Sequence, residues 1–216
     1  MSGTVLDLII PDLIHGMSDD DYEALLDIQA TNSPIEVGLK FDGGDRELVT
    51  TLREFRDRMA KGAYAPTQAD ITNAFNYFET PLGVLDILRQ ATLPDTSFIR
   101  EPYAGLVDIE LLPVSLLYSF DRPMVTEDIT IRDLVKNGEA QIIDVGSGHI
   151  VIDWQSFRTS LYELMRIDVD NDGIEEMVAY AYGKPVPNGT LRIGRLIVLG
   201  RKSIADRFAE LNVAND

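Results

Sequence analysis

The chain has 216 residues, 45% of them apolar, enough to bury one sizeable core or two small ones. Its net charge of −17 repels nucleic-acid phosphates and anionic lipid heads, so neither nucleic acid nor a membrane surface is an expected partner. Cysteine is absent, which excludes disulfides, thiolate metal sites and cysteine nucleophiles.

The first ten residues lack a basic region and carry Asp7, with Asp12 just beyond, so they do not read as a signal peptide. No apolar run is long enough to span a bilayer. Ser18, with Asp21 three residues later, opens a predicted helix carrying Tyr22, Leu25, Leu26 and Ile28. Asp19, Asp20 and Asp21 are the negative first turn that the helix macrodipole favours. Residues 35–41 alternate apolar and polar, as a strand does, and end in Asp42-Gly43-Gly44-Asp45, a hairpin-like or helix-entry turn. From 45 to 61, Leu48, Leu52, Phe55 and Met59 repeat at helical spacing, and Gly62 stops them. Thr67 and Asp70 cap a helix to Phe78 with Ile71, Ala74, Phe75 and Phe78 on one face. Thr80 then caps another, with Pro81 at its first position, running to about Gln90.

The second half changes period. Residues 106–112 and 114–120, separated by Pro113, read as two strands or one bent strand. A short helix over 131–136 stops at Asn137-Gly138. Strands follow at 140–145, 149–154, 161–169, 176–182 and 191–199, and an amphipathic helix at 201–211. The expected fold is α+β, a helical N-terminal half packed on a mainly antiparallel C-terminal sheet. The expected lobes are residues 1–95 and 96–216, or one continuous domain.

One stretch stands apart: Asp168-Val169-Asp170-Asn171-Asp172-Gly173-Ile174-Glu175-Glu176. Hard divalent cations take six to eight oxygens, and an acidic loop supplies them from alternate side chains and a backbone carbonyl. Gly173 permits a sharp turn. An EF-hand would need a Glu at the twelfth position, which here is Ala179 within a predicted strand. The loop instead resembles the calcium loops of integrin-alpha (FG-GAP-type) repeats, Asp-x-Asp-x-Asp-Gly-x-x-Asp between two strands. That resemblance spans about residues 161–201 and implies Ca²⁺, or Mg²⁺, held by the side chains of Asp168, Asp170, Asp172 and Glu176 and by the Ile174 carbonyl. Glu176 replaces the final Asp, keeping the charge on a longer arm. The loop occurs once, so a complete propeller of ~40–50-residue blades is excluded. An acidic hairpin turn without metal is the plainer alternative, disfavoured by mutual repulsion of three aspartates.

Other patterns carry less. The run 142–149, with Gly146-Ser147-Gly148, looks like a nucleoside-cofactor loop, but a strand follows it where a helix is needed. Gly43-Gly44-Asp45 lacks the continuation of a cyclic-dinucleotide synthase signature. His15 and His149 are the only histidines, and no Gly-x-Ser-x-Gly elbow accompanies them. Asp108, Glu110, Asp144 and Asp153 sit where alternation turns side chains to solvent.

No catalytic or cofactor-binding residue is assigned. The expected function is a non-enzymatic, acidic, calcium-binding interaction module with a basic protein partner, of the type by which bacterial immunity proteins neutralise toxins. The alternative is a hydrolase with a structural calcium ion. A cytoplasmic location is expected from the missing leader, or a periplasmic or secreted one if a leader has been removed.

Overall fold

The computed structural model describes residues 17–28, 37–99, 104–120, 129–146, 148–187 and 189–211. The expectations for residues 1–10, Asp12, His15, Ile35, Glu36 and Ser147 fall outside them. The fold is α+β, with two compact units, Met1–Ala91 and Thr92–Asp216. Among the described residues, no helix is long and apolar enough to cross a membrane.

In the first unit, helix α1 (Asp19–Leu26) begins with the expected box: the Ser18 hydroxyl accepts from the Asp21 N–H and the Asp21 carboxylate accepts from the Ser18 N–H. Strands β1 (Val37–Lys40) and β2 (Arg46–Val49) form an antiparallel hairpin, with Gly43 left-handed at φ 73° in the turn. The expected helix from Asp45 therefore begins late. Residues 46–49 are spent on pairing with β1, and helix α2 (Leu52–Ala60) starts only at the Thr51/Glu54 capping box. Leu48, expected on the helix, lies opposite Gly38 on β2 and is exposed.

Thr67 caps helix α3 (Gln68–Ala74), but no break separates it from helix α4 (Thr80–Gln90). Ala74, Glu79 and Thr80 all hold right-handed helical angles, and Phe75–Glu79 form one widened turn in which the Thr80 N–H donates to the Phe75 carbonyl. Pro81 cannot donate, and its ring crowds the preceding turn; widening that turn lets the helix continue. Thr80 is thus an interior residue rather than a cap, and among the described residues its buried hydroxyl has no partner. Phe55 and Phe78 stack with centroids 5.0 Å apart inside this unit.

Asp70 does more than a first-turn acid usually does. Buried at 3% exposure, it accepts the Gly38 N–H of β1 at 2.8 Å, an Arg46 Nη2 of β2 at 2.8 Å and the Thr67 hydroxyl at 2.7 Å. One carboxylate therefore ties both hairpin strands to the start of α3.

The second unit is a six-stranded antiparallel meander of β3 (Ala140–Gly146), β4 (His149–Trp154), β5 (Phe157–Ile167), β6 (Glu176–Pro185), β7 (Ile193–Gly200) and β8 (Ala209–Leu211) in sequence order. On one face Ile152, Leu161, Met177, Ala179 and Leu199 are buried. Residues 106–117 cover that face, but not as the expected strands. They form helix α5 (Ala104–Val107), a turn in which the Leu111 N–H donates to the Asp108 carbonyl, and a 3₁₀ turn (Val114–Leu116). The run is apolar because Leu106, Leu112, Val114 and Leu116 plug the sheet, not because it joins it. Helix α6 (Ile131–Lys136) adds Ile131 and Leu134 to the same core and ends at Asn137-Gly138 as expected.

The expected C-terminal helix is also absent. Arg201, 3% exposed, donates to the carbonyls of Ser203 and Ile204 and lies 5.6 Å over the Phe208 ring. These bonds hold residues 201–206 as a turn, from which β8 pairs back onto β7.

Asp70 gives the first test. The Arg46 hydrogen bond and then those from Thr67 and Gly38 hold its carboxyl at about 2, below the ~3.9 of a free Asp. The depressed value makes this contribution complete above about pH 4 and lost as pH falls towards 2. Because Arg46 is half exposed, the expected size is about 1–2 kcal/mol. Urea unfolding of Asp70→Asn should show that deficit at pH 7 and a smaller one at pH 3. Equal deficits at both pH values would contradict the ion-pair account.

Candidate metal centre

The acidic run closes the β5–β6 hairpin, the longest pairing in the sheet. Asn171 and Gly173 adopt left-handed angles, φ 62° and 85°, so the chain turns twice within three residues. Asp168 is 2% exposed. Its Oδ1 accepts the Asp172 N–H at 3.2 Å, and its Oδ2 accepts the Gly173 N–H at 2.9 Å and the Thr92 hydroxyl at 3.1 Å. Glu176, 3% exposed, accepts the Val169 N–H at 2.8 Å.

A second segment braces the loop. Thr92 and Asp168 exchange two backbone hydrogen bonds, at 2.9 and 3.1 Å. The Gly173 carbonyl accepts from the N–H groups of Asp95 and Thr96, and the Glu175 N–H returns to the Thr96 carbonyl. The Ser97 hydroxyl donates to the Glu175 carboxylate at 2.6 Å. Residues 92–97 carry no strand pattern, so nothing in the sequence announces this brace.

Of the four expected carboxylate ligands, three converge: Asp168, Asp170 and Glu176 each place a carboxylate oxygen within 4.8 Å of the others. Asp170 is exposed and the other two are buried. Asp172 stands outside this group, its Oδ1 accepting the Ile174 N–H at 2.9 Å. Three oxygens at this spacing could hold a hard cation, which would complete its shell from carbonyls and water.

Burial pushes the Glu176 carboxyl up to about 7, against the lowering effect of the Val169 N–H, and the charges of Asp170, Asp172 and Asp168 raise it further. An ionised Glu176 is therefore costly until a proton or a cation neutralises it. Asp170, Asp172 and Glu176 line a cavity of about 290 Å³ together with Arg201, Lys202 and Arg207.

Several other candidates are engaged elsewhere. His149 Nε2 lies 3.1 Å from Asp144 Oδ2, its ring stacked near Tyr162 at 6.0 Å, and the run around it forms the expected β3–β4 hairpin. Asp153 pairs with Arg158 through two bonds, at 2.7 and 2.8 Å, and Glu110 pairs with Arg132. Asp19 pairs with Arg89 at 2.8 Å.

The raised Glu176 value sets a sign. A carboxyl that is harder to ionise folded than unfolded binds more protons in the native state, so stability falls as pH rises from about 4.5 to about 7. In protein stripped of metal, Glu176→Gln should therefore raise stability by about 1–3 kcal/mol at pH 8 and change it little at pH 4.5. An equal effect at both pH values would show that Glu176 does not carry the penalty.

Comparison of the chain with protein-family models, curated proteins and solved structures gives no match. None of these comparisons supports the resemblance of residues 161–201 to integrin-type calcium loops.

Proposed function

We propose that this protein is a non-enzymatic, acidic interaction module whose β5–β6 loop binds a divalent cation, Ca²⁺ in preference to Mg²⁺, and whose partner is a basic protein. The convergence of Asp168, Asp170 and Glu176 within 4.8 Å is the observation that carries the metal reading. Ca²⁺ accepts irregular, oxygen-rich shells, whereas Mg²⁺ demands a tight octahedron, and a loop mixing buried and exposed carboxylates suits the former. Bound there, the ion would neutralise Glu176 and stiffen the end of the central hairpin.

The partner reading rests on charge. At −17 the molecule attracts a basic surface over a Debye length of ~8 Å, which speeds encounter and is weakened by salt. A basic toxin held neutral by this protein is the partner class we favour. The acidic loop is one candidate contact and the Asp19-Asp20-Asp21 helix start is another.

Ca²⁺ at millimolar levels (~10⁻³ M) should raise the melting temperature, because a ligand bound only by the native state stabilises it by mass action. Asp170→Asn, at an exposed position, should remove the shift while leaving the metal-free melting temperature nearly unchanged. No shift in the parent protein would reject the metal reading. For the partner, the association rate should fall steeply across a salt series, and a salt-insensitive rate would reject the electrostatic reading.

A further inference from the structure

At the end of the β5–β6 hairpin away from the acidic loop, the charge is reversed. Asp153, Arg158 and Lys184 are direct neighbours across β4, β5 and β6 and so share a face. Like charges placed opposite each other, as Arg158 and Lys184 are, repel unless something compensates. Asp153 compensates only one of them, through its two bonds to Arg158. Among the described residues, Lys184 has no carboxylate partner.

A third cation joins from the β6–β7 connection. Arg192 Nη1 donates to the carbonyls of Gly189 at 2.8 Å and Leu191 at 2.9 Å, so neutral acceptors fix its position without cancelling its charge. Gly189 lies so close to Pro185 that a Cβ there would come within 2.3 Å of the proline ring, which seats this connection against the end of β6. The three cations line one cleft of about 490 Å³, within the size range of small-molecule sites. In a chain with 36 acidic and 19 basic residues, three cations facing one cavity with a single carboxylate run against the composition.

We propose that this cleft binds a small phosphorylated molecule. The geometry supplies a point charge from Lys184 and a planar guanidinium from Arg192, the two groups that recognise phosphate oxygens. Val186 and Pro187 give the cleft an apolar edge for the rest of the ligand. The protein's overall charge repels polyanions, so the ligand is a compact anion rather than nucleic acid.

Calorimetric titration of the chelator-treated protein with inorganic phosphate and with pyrophosphate, at constant ionic strength, tests this. Saturable binding is expected, weakened about tenfold by Lys184→Gln and likewise by Arg192→Gln, and retained in Lys184→Arg. Melting curves of each variant separate lost binding from lost folding. A parallel arm uses vesicles carrying a phosphomonoester headgroup: binding of the soluble anions alone supports a soluble ligand. Vesicle binding lost in the same variants supports the same phosphate chemistry on a lipid. No saturable heat with either anion and no vesicle binding, or equal affinity in parent and both Gln variants, overturns the proposal.

Discussion

Two carboxylates, Asp168 and Glu176, are buried where the central hairpin of the second unit turns, and the site follows from how that charge is tolerated. Burying an anion costs several kcal/mol unless hydrogen bonds or an opposite charge compensate. Asp168 is compensated from within: two loop N–H groups and the Thr92 hydroxyl point at it. Glu176 has the Val169 N–H and three aspartates nearby, and its carboxyl is correspondingly hard to ionise. The loop is shaped by its own hydrogen bonds and left with a charge that a cation would remove.

The sheet makes this arrangement affordable. Strands β5 and β6 pair over most of their length, and Met177, Ala179 and Ala181 on β6 face a core closed by residues 106–117 and helix α6. A loop rooted in such strands can hold an unfavourable charge without unfolding, because apolar burial along the hairpin outweighs it. The same hairpin ends in Arg158 and Lys184 at its other extremity, so its charge is polarised along its length.

Much of this was legible in the residues, and the misses have physical causes. Strand β4 and the acidic turn could be read because alternation and Asp-Gly spacing are local signals. Strand β5 was expected four residues late because Gln155 and Ser156 turn the chain with φ of 45° and 64°, left-handed angles that neither residue advertises. Residues 106–117 misled because a segment plugging a sheet is as apolar as one joining it. Thr51 and Glu54 spell a capping box, a local signal that marks the start of α2 and leaves residues 46–49 to the strand they form. At the site, the alternate aspartates were visible, but the brace from residues 92–97 was not. It consists of backbone hydrogen bonds, which leave no mark on side-chain pattern. The turning of Asp172 onto the Ile174 N–H was equally unreadable.

The central claim is that the buried charge at this turn is a cation site. Its most direct test is crystallographic: crystals grown with Ca²⁺, or with a lanthanide in its place, and the ion located by anomalous scattering. The account predicts a single strong peak between the carboxylates of Asp168, Asp170 and Glu176, absent in crystals of Asp170→Asn. A peak only elsewhere, or none at saturating ion, would show that a proton and the neighbouring cations are all that Glu176 requires.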